Sequence, residues 1–556
     1  MPEQGWVRNR LIAGTLALLA TRLILSLLRT GPVLVADEIG YLTNARVLTG
    51  GLEGQLERAP FYRGGYSLLL SPLLELSSDP GFVYHLVLVL NAVLAASVFP
   101  LLYLLLTRFA GVPPRIAIWA ALAGAAYPAV TALSQTAMSE NALVPLICVW
   151  LIAFGGLLAA RELHRSLLWA AGLGASTAAL WAVHGRMVSA VVLTAVVVGW
   201  LGVRRRLHPG TVVTVGGVLA AGLWAADLLN AYLIDHNYGG SAPNEASERL
   251  GELWDGHGLR TAAANLLGQT WYLAVASFGL AAVVFARALE FARPRRTSAR
   301  DGLSPVIPIV AALTVLLLGI SAVAFPDRTR PDMLIYGRYV EVVTSVLVAF
   351  GVALLAQREV PTRLARPLLA VALLTAVVVV IRATAADPDP ANRWNVSGLP
   401  FVTANLGPGI LIGAALVAGV GAWLLVRLSL RASGRVGWLA VALFAPIIVY
   451  GVWNPVLKSE HAVYPGGWTS PEPIAESHGI RTIGYDLSHY DAIGLYAFQW
   501  FLPDTSVALF DARRQAPPSR FVISGRGWQR RRAGAGADEL WRAEGRDQVL
   551  WRDRGF

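Results

Sequence analysis

Residues 11–28, LIAGTLALLATRLILSLL, decide the fold of this chain. The run is predominantly apolar and carries no charge except Arg22. Crossing the roughly 30 Å hydrocarbon core of a bilayer takes about 20 such residues at about 1.5 Å each, and a helix satisfies its own backbone polar groups where no water can. A secretory signal would look similar at first, but no small-residue cleavage site follows, and many comparable runs do. The run is therefore expected to be the first transmembrane helix. Working outward, runs of the same character lie near 83–107, 116–134, 142–160, 167–183, 187–203, 211–232, 268–287, 304–324, 340–356, 367–383, 409–427 and 436–453, about thirteen spans in all.

Composition agrees. With 556 residues, 55% hydrophobic and 15% charged side chains and a mean hydropathy of +0.54, the chain has more apolar surface than one water-soluble core can hide. Lipid must cover the surplus. The net charge of +11 and the pI near 10.0 would suggest nucleic acid in a soluble protein. Here the arginines fall in short clusters between apolar runs, which is the pattern of membrane topology and not of a nucleic-acid groove. Lys458 is the only lysine, and the Ala, Val, Leu, Gly and Arg bias is that of a high-GC bacterial genome, actinobacterial in kind. The lone Cys148 sits in an apolar run, so neither a disulfide framework nor a thiolate metal site is available.

Loops on the cytoplasmic side of a membrane protein carry excess Lys and Arg close to the spans. Arg8 and Arg10, Arg108 and Arg115, Arg161 and Arg165, and the clusters within 204–206, 287–300, 358–366 and 427–435 fall on alternate loops, which are read as cytoplasmic. The opposite loops, 29–82, 135–141, 233–267, 325–339 and 384–408, are longer and rich in Asp, Glu, His, Asn and Trp. An odd number of spans then puts the N-terminus in the cytoplasm and the C-terminal segment outside the plasma (inner) membrane. Residues 1–453 would form the membrane domain and 454–556 an extracytoplasmic one.

From 454 onward the pattern shortens to strands near 480–485, 506–510 and 520–524, an amphipathic helix over 491–501 and a terminal hairpin near 539–551. A small α/β domain is the economical reading. Asp486, His489 and Asp491 suggest a metal or acid–base cluster, but Asp and Ser ahead of a helix are ordinary cap and turn residues, and that reading is preferred. No phosphate-binding glycine loop, zinc-spaced His/Cys cluster or nucleophile elbow occurs, so chemistry must be sought in the outer loops.

The first outer loop opens with VADEIGYLTNARVLTGG (35–51). Asp37 and Glu38 follow the first span directly and start a helix carrying Tyr41 and Arg46, so the pair holds carboxylates at the membrane surface, where a general base would stand. An acidic loop pair without chemical duty is the bland alternative. Next comes APFYRGGYSL (59–68), an aromatic, glycine-rich turn whose Tyr62, Arg63 and Tyr66, with Tyr41, are candidates to line a sugar or lipid groove. Ser139-Glu140-Asn141 adds a carboxylate between the third and fourth spans. On the same side His184-Gly185-Arg186 ends the fifth span, and Tyr336-Gly337-Arg338-Tyr339 opens the tenth. Guanidinium groups suit phosphate because they offer a planar fork of donors and stay charged, although an arginine near a helix end also snorkels to the interface without further purpose. Asp235, His236, Asn237, Tyr238, Trp254 and His257 either help choose an acceptor or simply order loop 233–267.

The order of first span, Asp-Glu, loop helix, Phe-Tyr-x-Gly-Gly-Tyr-x-Leu-Leu-Leu and second span resembles the GT-C superfamily of polyprenyl-phosphate-sugar-dependent glycosyltransferases, and within it the protein O-mannosyltransferase and aminoarabinose transferase branch. The likeness covers the first half of the spans; the later ones match in hydropathy, and the C-terminal segment carries no family motif. It implies a mainly α, polytopic GT-C-like fold, to which the pattern beyond 454 adds a small C-terminal α/β domain. The family's acidic residue of the first outer loop falls on Asp37, with Glu38 beside it, and Glu140 takes the place of a further outer acid. The late Arg-Tyr pair falls on Arg338 and Tyr339, which implies that Arg338, with Arg186 and Tyr339, contacts a donor phosphate while His184 joins the lining.

The activity implied is transfer of a sugar, with inversion, from an undecaprenyl- or decaprenyl-phosphate carrier to a wall glycan, lipid or protein outside the membrane, with Asp37 as base. No nucleic acid is a partner. Members of the superfamily differ in metal use, so the cofactor stays open: none, or a divalent cation such as Mg or Mn held by Asp37 and Glu140. The alternative from another class is a transporter or lipid flippase. Such proteins gather polar residues and broken helices near the midplane, often in repeated halves. Here no internal repeat is evident and, apart from cases such as Asp227, charge collects at the outer surface.

Overall fold

Helices form where the apolar runs predict them, because only a helix pairs the backbone of a membrane-crossing segment within that segment. The computed structural model describes residues 2–241 apart from 30, 34, 57 and 58, then 251, 256–291, 305–324, 331–360, scattered positions within 363–379, 393–402, 408–451, 471–489, 492–525, 528, 536–542 and 548–554. α1 (Pro2–Ser26) is followed by two loop helices, α2 (Ala36–Leu48) and α3 (Gly64–Leu74), and then by α4 (Pro80–Phe109), α5 (Pro114–Ala125) and α6 (Pro128–Leu133). The bundle continues with α7 (Glu140–Ala159), α8 (Leu163–Val183), α9 (Val188–Val203), α10 (Pro209–Asn237), α11 (Gly256–Ala276), α12 (Leu280–Phe291), α13 (Val306–Ala324), α14 (Arg338–Ala356), α15 (Pro408–Arg431) and α16 (Val436–Gly451). Among the described residues nine helices are long and apolar enough to cross a bilayer, or ten with the bent pair α11–α12 as one span. The chain is a multi-pass membrane protein.

Three of the thirteen expected spans take another form. The run 116–134 divides into α5 and α6, because Pro128 has no N–H with which to continue the helix. Arg22 of α1, buried despite its charge, donates from Nη2 to the Ala125 carbonyl at the end of α5 (2.9 Å). The run 268–287 straddles a 108° bend between α11 and α12, where Phe278 and Gly279 adopt φ of 49° and 74°. The last run becomes the short α16. The expected span 367–383 lies largely outside the described residues, as do parts of loops 233–267, 325–339 and 384–408, including Trp254.

The hub is α14, almost wholly enclosed by α5, α7, α12, α13 and α16. Lipid tails are as apolar as Leu, so helices associate through close packing and buried hydrogen bonds rather than through hydrophobicity. Glycine permits the approach: a Cβ on Gly124 would stand 2.5 Å from the Ser345 carbonyl, and one on Gly351 2.8 Å from that of Leu280. Trp150 of α7 donates its indole N–H to the hydroxyls of Thr177 and Thr194 (both 3.1 Å), which ties α7 to α8 and α9. The result is that α14 and α7 begin at the same face.

Beyond α17 (Glu472–Ser477) lies a small α/β domain. Its strands are β1 (Thr482–Asp486), β2 (Ser506–Phe510), β3 (Phe521–Ser524), β4 (Ala537–Arg542) and β5 (Val549–Asp553), in the order β2-β1-β3-β5-β4. β1 runs parallel to β2 and β3, and β5 antiparallel to β3 and β4. α18 (Ala492–Phe501) connects β1 to β2 and buries Leu495 and Phe498 with Ile483, Val507 and Leu550. The Asp486 carboxylate accepts from Ser488 N (2.9 Å), Ser524 Oγ (2.6 Å) and Ala512 N (3.1 Å), which is the turn-building role preferred above; Asp491 lies outside the described residues.

α18 seats this domain on the first outer loop. Arg46 Nη1 donates to the Gln499 carbonyl (2.6 Å), and the Gln499 amide accepts from Gln55 N (3.0 Å) and donates to Gln55 O (3.4 Å). Trp500 meets Tyr84 edge to face at 6.3 Å. Gln499→Ala removes both amide bonds and strands the Gln55 N–H. A loss of about 1–2 kcal/mol is expected, read as a lower unfolding midpoint in detergent and faster proteolysis of the C-terminal domain.

Candidate active site

Four helical N-termini gather at one face. α2 brings Asp37 and Glu38 in its first turn, α7 begins with Glu140, α14 begins with Arg338, and a short 3-10 turn, Gly185–Met187, carries Arg186. Unpaired backbone N–H groups and the helix dipole make such ends favourable for anions. Glu140 and the α2 acids gain from that placement, whereas Arg338 stands against it and needs carboxylate partners.

Arg338 has two. Its Nε and Nη2 fork onto Glu140, at 2.8 Å to Oε1 and 3.1 Å to Oε2, and its Nη1 donates to Asp37 Oδ2. Arg186 Nη2 approaches Glu140 Oε1 from the other side (2.8 Å). Side chains of Glu140, Arg186 and Arg338 are buried, while that of Asp37 is 31% exposed and so is the member of the network that opens outward. Two guanidiniums and two carboxylates make the cluster neutral. Removing one member of such a buried group commonly costs about 3–5 kcal/mol, because the remaining charges lose their partner.

Around Arg186 the lining is aromatic. Its guanidinium lies 4.6 Å from the centroid of Tyr339, whose ring meets those of His184 at 5.8 Å and Tyr336 at 5.2 Å. His184 Nδ1 accepts from Arg186 N (3.2 Å); burial, with Arg186 alongside, holds that imidazole well below its usual range, so it is neutral. Arg186 Nε and Nη1 are buried with no hydrogen-bond partner among the described residues. A buried guanidinium with two unspent donors is prepared for an anionic ligand.

Glu38, adjacent to Asp37, turns inward instead. It accepts from Val33 N (2.7 Å), Ala137 N (2.9 Å) and Tyr84 Oη (2.6 Å), pinning the entrance of α2 to α4 and to the strand of chain before α7. Burial pushes its carboxyl above the usual range, opposed by those bonds and by Arg29. Tyr41, Tyr62 and Tyr66 pack as a buried aromatic cluster, with ring centroids 5.4 and 5.3 Å from Tyr41, and Tyr66 Oη donates to Asn91 (2.8 Å). They are buried in the floor of the loop. Arg63 stacks on Trp181 at 3.5 Å and feels Asp227. Asn237 donates to Asn44 Oδ1 (2.8 Å) and receives Gly54 N (2.8 Å), so this end of loop 233–267 orders the first loop.

Two features escape a reading by motif. Glu341, one turn after Arg338, accepts from Tyr272 Oη and Gly398 N (2.6 Å), and shares with Glu140 a cavity of about 10 Å³, room for about one water. Its signal was a carboxylate inside an apolar span, which is rarely idle. Arg29, buried near Glu38, is the other. For a metal, the donor set does not fit: Arg338 fills the place between Asp37 and Glu140, and no three His, Cys, Asp or Glu side chains converge among the described residues.

No protein-family model matches the sequence, and no curated protein is similar to it in sequence. Solved structures are similar. The crystal structure of ArnT from Cupriavidus metallidurans bound to undecaprenyl phosphate superposes with a TM-score of 0.55 at 13% identity, over 98% of this chain and 98% of that one. The apo state of the same protein gives 0.54 at 12% identity, over 99% and 98%. The chain has the GT-C fold. Arabinosyltransferase EmbB from Mycobacterium smegmatis aligns less well, with a TM-score of 0.41 at 14% identity over 84% of this chain and 42% of that one. On this GT-C scaffold the C-terminal sheet domain and the first-loop helices are included in the superposed length, since nearly the whole chain is covered.

The geometry separates the two adjacent acids. Glu38→Ala strands Val33 N, Ala137 N and the Tyr84 hydroxyl, with an expected cost of about 3 kcal/mol or more, whereas Glu38→Gln keeps an acceptor and costs less. Unfolding midpoints in detergent check this order; a Glu38→Ala protein as stable as wild type would contradict it.

Proposed function

We propose that this protein is a membrane glycosyltransferase that moves a sugar from a polyprenyl-phosphate carrier to a hydroxyl of an acceptor outside the membrane, a wall glycan, a lipid or a protein. The observation that carries the reading is Arg338 bridging the half-buried Asp37 to the buried Glu140, beside the two unspent donors of Arg186. The fold supports it, since a protein of the same fold binds undecaprenyl phosphate. The arginine-rich loops support a plasma-membrane orientation with the N-terminus cytoplasmic and the sheet domain outside.

In this reading the network rearranges as the donor arrives. A phosphodiester adds one negative charge to a neutral cluster whose surplus donors belong to Arg186, and it competes with Asp37 for the Nη1 of Arg338. Binding frees the Asp37 carboxylate as it places the anomeric carbon nearby. The acceptor oxygen then attacks that carbon as its proton passes to Asp37; the bond from carbon to phosphate oxygen breaks, and the phosphate leaves with the electron pair. One displacement inverts the anomeric centre. Arg338 and Arg186 take up the charge growing on the phosphate, with Glu140 holding both guanidiniums in position.

Transfer from synthetic polyprenyl-phosphate sugars by the purified protein tests this. Asp37→Asn removes the base while leaving Arg338 its Glu140 fork, and turnover is expected to fall by about 10²–10⁴-fold in a protein that still folds, its unfolding midpoint lowered by the loss of one ion-pair partner of Arg338. Full turnover in Asp37→Asn would sink the assignment.

A further inference from the structure

The end of the bundle remote from Glu140 carries a second charged feature. α4 ends at Phe109, α7 at Ala159, and α8 starts at Leu163, so the three helices meet there, about 25–30 Å from the carboxylate cluster along α7 by helix rise. Between them lies a cleft of about 570 Å³, lined by Leu104, Arg108, Phe109, Ile152, Arg161 and Trp169, among others.

Sequence explains its walls. Gly155 and Gly156 form a bare patch on α7: a Cβ on Gly155 would stand 2.6 Å from Phe109 Cγ, and one on Gly156 would overlap the Trp169 ring. The two rings therefore lie flush on the helix and meet edge to face at 6.2 Å. Leu104 is exposed at the rim, which makes one lip of the cleft apolar.

Its charge is unbalanced. Arg108, Arg161 and Arg165 face a single carboxylate, Glu162, and Glu162 is already held by Arg165 at 3.1 Å. Arg108 and Arg161 have no hydrogen-bond or ion-pair partner among the described residues. Two unpaired guanidiniums beside aromatic and aliphatic walls suit a molecule with a phosphate at one end and hydrocarbon at the other. A free inorganic anion would leave the apolar wall unused. A zwitterionic headgroup would bring a cation that, among the described lining residues, meets no carboxylate but Glu162, already held by Arg165.

We propose that this cleft is a binding site for an anionic phospholipid of the surrounding leaflet, its phosphate between Arg108 and Arg161 and the start of one acyl chain against Phe109, Trp169 and Leu104. Basic pockets between helix ends hold anionic lipid headgroups in this way. The site stands apart from the carboxylate–arginine cluster and does not depend on the sugar-transfer reading.

Native mass spectrometry of the purified full chain tests the proposal, by titration with phosphatidylglycerol and with phosphatidylcholine of the same acyl chains. Wild type is expected to retain phosphatidylglycerol about tenfold or more over phosphatidylcholine. The Arg108→Gln/Arg161→Gln double variant should lose that preference, and Arg108→Lys/Arg161→Lys should keep part of it. Neither arginine has a protein partner, so lipid-free unfolding midpoints should be unchanged, which separates lost binding from lost folding. Equal retention of the two lipids by wild type, or an undiminished preference in the double Gln variant, would overturn the site.

Discussion

A guanidinium forked between two carboxylates at the head of an enclosed helix is the constraint around which this molecule is arranged. Arg338 stands at a helix N-terminus, where the dipole repels it, and inside a low-dielectric bundle, where bare charge is costly. Glu140 answers both problems because it begins α7 at the same face. That coincidence requires α7 and α14 to share a depth in the bundle, and the close packing at Gly124 and Gly351 allows α14 to sit deep enough for it. Arg186 then donates to the same Glu140 oxygen that Arg338 Nε meets, and Asp37 balances Arg338 from the loop side.

Adjacent acids on α2 show how local geometry divides labour. Successive helical side chains diverge by about 100°, so Glu38 enters the protein while Asp37 faces the cluster. The inward acid fixes the helix; the outward one pairs with Arg338 and stays partly exposed. The sheet domain adds to this order, since Arg46 and Gln499 clasp the far end of the same helix. α2 is thus held at its start by Glu38, in its middle by Asn44 with Asn237, and at its end by α18.

Much of this was readable in the residues. Hydropathy located the nine long helices because lipid imposes a length and a composition on each, and period-2 runs located the five strands. Hydropathy does not see a proline-broken span or a bend such as the one at Phe278–Gly279, because both halves remain apolar. At the site, residue chemistry together with the family resemblance picked out Asp37, Glu140, Arg186 and Arg338, which the fold brings together across about 300 positions of sequence. Their mutual pairing was not readable, since it depends on the depth at which helices pack. Nor were the inward turn of Glu38 and the enclosure of Tyr41 and Tyr66, which are decided by neighbours from α4 and the segment before α7.

In the proposed reaction a lipid phosphate takes Arg338 from Asp37. A cryo-EM structure of the protein with undecaprenyl phosphate addresses that directly. Phosphate density is expected within hydrogen-bond reach of Arg338 and Arg186, with the Asp37 carboxylate released and facing the open side. A lipid phosphate bound elsewhere, with the Asp37–Arg338–Glu140 bridge intact, would contradict it.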